Sequence, residues 1–293
     1  MKKLSAMSIT KSLATLALAT CAGSSFAAST WDLPTLCAND ATTGLVSACS
    51  GNTSGGGTLS AVTGHSTGTG PTTNPTAGTL FAAAAIYDYG AGNGLGVVAK
   101  NEDPNSTGPH ATDNLFGTDA FVFKFGSAVN LNGLSIGFNG TDNPTTIGTA
   151  NYNDSDASVL AWMGANPPPS VNGTTVSSLV TQGWKLIGNL ADIGASNGST
   201  AGGSASFNAT NTNGTALYSS YWLISAYDSN FGGQPTTAND SFKLLSLAGN
   251  TCTGTITGNQ CGGTKVPEPG SLALFGLGLV GLVASRRRKQ AAL

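Results

Sequence analysis

From residue 80 onward, the apolar residues of this 293-residue chain come in short runs, each closed by glycine, asparagine, aspartate or proline. The runs recur at intervals of roughly 10–25 residues, the spacing of strands joined by turns. Strands are expected at 81–89, 95–100, 120–125, 129–138, 158–163, 184–189, 221–227 and 241–247. The clearest is Phe121-Val122-Phe123-Lys124-Phe125. Side chains alternate along a strand, so its three phenylalanines share one face and Lys124 takes the other. One or two helical turns are expected at 176–182. The pattern predicts an all-β fold, a single jelly-roll-like β-sandwich with polar Gly/Thr/Ser-rich loops. Residues 50–79 are too polar to build a large core and are expected as a loose loop or long hairpin. A second polar loop is expected at 195–215.

The two ends carry membrane-active segments. Lys2, Lys3 and Lys11 precede an apolar stretch at 13–19, and Ser25-Phe26-Ala27 fits a small-x-small cleavage site. This is the pattern of a secretory signal peptide, with cleavage expected after Ala27. Leu18-Ala19-Thr20-Cys21 falls short of a lipoprotein box, because Thr20 is bulkier than the usual glycine or alanine. At the other end, Val266-Pro267-Glu268-Pro269 is held extended, since a residue before proline is pushed out of the helical region. A protease needs such an extended segment. An apolar run follows, with Leu272, Leu274, Phe275, Leu277, Leu279, Val280, Leu282 and Val283 as the membrane anchor. Arg286, Arg287, Arg288 and Lys289 form a basic stop on the cytoplasmic side. As a helix, residues 270–285 cover about 24 Å at about 1.5 Å per residue. The hydrocarbon core is about 30 Å thick. Snorkelling arginine stems and local thinning close that difference. A buried C-terminal helix of a soluble domain is the competing reading, and four consecutive cations argue against it.

In order and spacing this tail resembles the PEP-CTERM sorting signal of Gram-negative bacteria. The resemblance implies recognition by exosortase, a membrane-embedded cysteine protease, and a cut near the PEP motif. It also implies delivery to the cell surface or the extracellular polysaccharide. A second resemblance rests on PHATDN at 109–114, GTDAFVFKF at 117–125, LSIG at 134–137 and DSDASVLA at 154–161, followed by GWKLIG at 183–188, SSYWLISAY at 219–227 and DSFKLL at 240–245. In that order they are similar to the exosortase-dependent surface proteins, a subgroup of PEP-CTERM cargo described by its sorting. The expected organisation is a signal peptide at 1–27 and a disulfide-bearing, low-complexity segment at 28–79. A surface domain at 80–250, a Cys-containing linker at 251–265 and the sorting signal at 266–290 complete it.

Between the signal peptide and the basic tail, five lysines and no arginine stand against all 14 acidic residues, a formal charge of −9. That excludes nucleic-acid binding, which needs a basic face. Twelve of the acids are aspartate, suited to turns and to oxygen-rich metal sites. Asp154 and Asp156, combined with Asp113 or Asp119 from a neighbouring loop, are the candidate calcium ligands. The competing reading is a charged turn before the strand at 158–163. No cofactor other than calcium is expected. Cys37, Cys49, Cys252 and Cys261 form an even set in an exported chain, which points to disulfides. Three pairings are open, and Cys37–Cys49 with Cys252–Cys261 is favoured because each closes a short local loop.

Gly64-His65-Ser66-Thr67-Gly68 matches the G-x-S-x-G elbow, but in a Thr/Gly-rich stretch without an expected strand and helix around it. The run at 90–96 reads as a hairpin turn. His65 and His110 are the only histidines and lack an evident third ligand. Trp162, Trp184 and Trp222 sit in apolar strands, where core packing is the default and a carbohydrate-stacking platform the alternative. The expectation is therefore a non-enzymatic surface protein with a structural or adhesive role in envelope or biofilm. The rivals are a carbohydrate- or calcium-binding module and, further off, a surface hydrolase. Its expected partners are an exosortase-type protease, the membrane and exopolysaccharide.

Overall fold

The computed structural model describes residues 27–52, 54–68, 79–100, 102, 111–114, 117–139, 155–194, 201–232 and 240–262. In chain order the strands are β1 (Ala27–Asp32), β2 (Cys37–Asn39), β3 (Val46–Cys49), β4 (Leu59–Ser66), β5 (Ala82–Asp88), β6 (Leu95–Val98), β7 (Thr112–Asp113) and β8 (Asp119–Asn139). They continue as β9 (Ala157–Trp162), β10 (Trp184–Leu190), β11 (Ala201–Ser206), β12 (Ser219–Ala226), β13 (Ser241–Thr251), β14 (Ile256–Thr257) and β15 (Gln260–Cys261). Among the described residues the α-helices are α1 (Leu33–Leu36) and α2 (Val176–Gln182), the latter over the predicted span.

Eleven strands form one sheet, in the order β1-β13-β6-β5-β4-β8-β12-β9-β10, with β11 on β8 and β7 on β13. The long strand β8 organises it. Its first half pairs with β4 and β12, and its second half with β11 and β13. Because β13 also meets β6 at Leu244↔Leu95, the strands β13, β6, β5, β4 and β8 close into a barrel-like ring. The chain is all-β as expected, but the architecture differs from two separate sandwiched sheets. The reason lies at Gly126-Ser127-Ala128, where two strands were expected and one 21-residue strand runs through. The backbone there stays paired, with the Gly126 N–H donating to Thr58 O at 2.8 Å. A residue without a Cβ lets a strand bend without ending.

Two further strands lie where polar loops were expected. β4 falls within 50–79, yet it pairs with β5 on one side and β8 on the other. β11 falls within 195–215 and pairs with β8. At β11 the side chains are nearly absent: a Cβ on Gly202 would strike the Ile136 carbonyl, and one on Gly203 the Ile193 carbonyl. Through β1 and β4 the main sheet extends well to the N-terminal side of residue 80.

The middle of the sheet is buried on both faces. On the inner face, Phe121, Phe123 and Phe125 pack with Val159, Ala161, Trp222 and Ile224 and with Trp31, Leu59 and Leu244. On the outer face, Ala120, Leu160, Trp162, Trp184 and Leu223 pack under Val176 and Leu179 of α2, joined by Phe81, Val171 and Phe231. Period-2 alternation accounts for the split, and double burial accounts for the near-continuous apolar runs of β9 and β12. Each large apolar side chain fully buried here contributes roughly 1.5–3 kcal/mol.

The helix α2 is delimited by its own sequence. Thr175 caps it: its hydroxyl accepts from the Ser178 N–H, and the Ser178 side chain accepts from the Thr175 N–H. At the other end Gly183 takes φ +114°, and its N–H donates to the carbonyls of Leu179 and Val180. Val176 and Leu179, three apart, share the face turned to the sheet.

Candidate functional site

Both disulfides form as expected. Cys37 and Cys49 face each other across the hairpin of β2 and β3, with Cα atoms 3.9 Å apart. Cys252–Cys261 closes the loop that carries β14 and β15, with Cα atoms 5.6 Å apart. This loop is docked, not pendant. The Tyr218 N–H donates to Asn259 O at 2.8 Å, and the Asn259 amide donates back to Tyr218 O at 3.0 Å and to Trp162 O at 3.3 Å. Gly262, just beyond the cystine, is held by Thr255 O at 2.9 Å. The motif Val266–Pro269, the anchor residues from Leu272 to Val283 and the basic stop at 286–289 lie outside the described residues, as does the signal peptide up to residue 26. Among the described residues no helix is long and apolar enough to cross a membrane.

Of the aspartates proposed for calcium, Asp113, Asp119 and Asp156 are described, and they form no three-member group arranged to hold a metal. Asp113 and Asp119 are neighbours: the Asp113 N–H donates to the Asp119 carboxylate at 3.3 Å. Burial, and then the adjoining Asp113 carboxylate, push the Asp119 carboxyl well above its ordinary range. Asp156 lies before β9, which β12 separates from β8. It serves the fold, accepting from the Asp192 N–H at 2.8 Å, while its own N–H donates to Asp240 at 2.8 Å. Asp154 lies outside the described residues. Among those described, no group of three or more His, Cys, Asp or Glu is arranged to hold a metal.

The G-x-S-x-G stretch lies at the end of strand β4, so its serine does follow a strand, and the residues from 69 to 78 lie outside the described residues. His65 and Ser66 are consecutive in β4 and so point to opposite faces. Ser66 is buried, donates to Asp119 and accepts from the Gly68 N–H at 2.9 Å. His65 joins Asn172 Oδ1 at 2.8 Å and Thr63 Oγ1 at 2.9 Å, and burial holds its ring below the ordinary value. His110 lies outside the described residues. The run at 90–96 is a hairpin turn as expected. Gly94, at φ +97°, sits where a Cβ would meet the Leu244 backbone.

Trp162, Trp184 and Trp222 are all buried core residues. The Trp162 indole lies against Gly164, where a Cβ would collide with the ring, and against Gly183, where a Cβ would come within 3.0 Å of it. Two features had no signal in the sequence. Lys243 is buried, with Nζ 3.5 Å from the Tyr89 ring centre and 4.2 Å from that of Phe138. Burial lowers its pKa to about 8. The other is an open cleft of about 610 Å³, in which Trp162, Asn166, Tyr218, Ser220, Tyr221 and Asn259 take part. Its residues come from four separate stretches of chain, so no local motif announces it.

These features define an all-β domain stapled by two cystines, whose docked C-terminal loop ends a few residues short of a proline-bracketed, apolar, basic-ended tail. The family model described as PEP-CTERM protein-sorting motif matches residues 265–289. The chain thus carries a PEP-CTERM protein-sorting motif at residues 265–289. The motif implies export and sorting to the surface, and it is associated with processing by exosortase, a membrane protease. No curated protein matches the chain.

Proposed function

We propose that this is an exported surface protein with a structural or adhesive role in the envelope or biofilm matrix. A signal peptide ending at Ala27 exports it, and the helix at 272–284 holds the precursor in the membrane. Exosortase then cuts near Val266–Pro269 and releases the domain toward surface polysaccharide. The observation that carries this reading is the sorting motif at 265–289, which begins three residues beyond the last described residue, Gly262. The domain's other end supports it. β1 begins at Ala27, and a cut after Ala27 removes only the first of its pairs, Ala27 with Thr251, leaving Ala28–Asp32 on β13.

Mass spectrometry of protein released from the cell surface tests both cuts. An N-terminus at Ala28 and a C-terminus upstream of Leu293 are expected. Intact Leu293 on released material overturns the processing step. A chain ending at Lys265 should leave the cell, and retention equal to the full chain overturns the sorting role of the tail.

A further inference from the structure

The open cleft beside the docked cystine loop has a composition that narrows what it can hold. Its walls are Trp162, Met163 and Pro167 after β9, Tyr218 and Tyr221 around the start of β12, Phe125 from the bend of β8, and Ile256 and Asn259 from the loop closed by Cys252–Cys261. Not one lining residue carries a charge. The described domain is also strongly acidic, so an anionic ligand finds no cation in the cleft and a repulsive field around it.

What the cleft offers instead is apolar surface beside neutral hydrogen-bonding groups. Tyr221 is half-buried and turns toward the outer face. Among the described residues, no hydrogen bond engages the side chains of Asn166, Ser220 or Tyr221. Ile256 is 42 % exposed at the rim. The scaffold around these groups is held in place. The Trp162 indole donates to Asn166 O at 2.6 Å, and Asn259 ties the loop to Tyr218 and Trp162. The disulfide closes that loop at its base. Such fixed walls lower the ordering cost of binding. The volume of about 610 Å³ lies within the roughly 300–1,000 Å³ of small-ligand sites, and the cleft is open along one side.

We infer that this cleft binds a neutral glycan chain, with the Tyr221 ring against the C–H face of one sugar ring and the Asn166 amide and Ser220 and Tyr221 hydroxyls on its hydroxyl groups. An uncharged polyol is the ligand class that uses all of these groups and needs no cation. Stacking on Trp162 is not required, since that ring is only 8 % exposed. The inference deepens the adhesive role proposed above, but it depends on the cleft alone and not on how the tail is processed.

The test is calorimetric titration of the purified protein with a panel of oligosaccharides built from neutral hexoses, and separately with a polyuronate. Binding to at least one neutral oligosaccharide at millimolar concentration is expected, with Tyr221→Ala weakening it by about tenfold or more. Tyr221→Phe should keep most of the affinity, and Asn166→Ala should lose several-fold. Thermal unfolding of each variant shows that it is folded. No binding to any neutral oligosaccharide at 10 mM overturns the inference. So does binding indifferent to Tyr221→Ala, or equal affinity for the polyuronate. None of these outcomes touches the termini read by mass spectrometry, so failure here and failure of the sorting reading stay distinct.

Discussion

The two faces of the central strands are built differently, though the same strands supply both. The inner cluster gathers residues from β1, β4, β6, β8, β9, β12 and β13, with contacts spanning most of the described chain. The outer cluster is smaller, and its cover is a seven-residue helix with one loop on either side of it in space. The inner face is thus shared among many partners, so that losing one contact strains the whole ring. The outer face depends on a local lid with its own caps. Stability follows the same division: a structure opens first where few buried contacts hold it.

The comparison is broken most forcefully from the inside. Phe123→Ala removes a fully buried ring from the inner cluster, and a loss of about 3–5 kcal/mol is expected in urea unfolding. Leu179→Ala removes the buried anchor of α2. A loss of about 2 kcal/mol is expected there, at the low end because a short helix on the surface relaxes into the space. Hydrogen exchange sharpens the contrast: Leu179→Ala should speed exchange in α2 and leave the amides of β8 protected, whereas Phe123→Ala should weaken both. Equal effects of the two changes on β8 would remove the distinction between ring and lid.

Smaller effects probe how the lid is fastened. Thr175→Ala deletes the capping hydroxyl, and a cost of about 1 kcal/mol is expected in the same unfolding measurement. His65 ties β4 to Asn172, beside Val171 of the outer cluster. Its folded pKa is depressed by burial, so the unfolded chain takes up the proton first on acidification. The contribution of neutral His65 is therefore full above the unfolded value of about 6.5. It falls as pH drops through that value and levels off below the folded one. His65→Gln should lose this component. Urea midpoints of the variant and the parent should diverge less at pH 5 than at pH 7, and parallel profiles would show that the fastening is not titratable.

Much of the local architecture was legible in the residues. The strands around Phe121–Phe125, at Trp184 and at Tyr221–Ala226 follow from apolar runs ended by turn formers. The helix at 176–182 follows from a threonine before it and a glycine after it. Both cystines follow from loop length, because a short loop brings two cysteines together whatever the rest of the chain does. The sorting motif was legible for a similar reason: its prolines, apolar run and cations follow one another in sequence and need no partner from elsewhere to be recognised. The partners of the described aspartates were not legible in this way. Asp113 meets Asp119, and Asp156 meets Asp192 and Asp240, contacts that aspartate spacing does not announce.

By itself, the sequence determined most of the extended stretches from residue 80 onward, where α2 starts and stops, which cysteine pairing is favoured and where the sorting motif lies. These properties depend on backbone preference and near neighbours. Only the tertiary structure decided that β8 runs unbroken through Gly126, that polar β4 and glycine-rich β11 are strands, and that the ring closes from β13 onto β8. A strand's hydrogen bonds are satisfied by whichever strand lies beside it, and here that partner is often a hundred or more residues away. The cleft under Tyr221 has the same origin, since its walls come together only once β8, β9, β12 and the cystine loop have found one another.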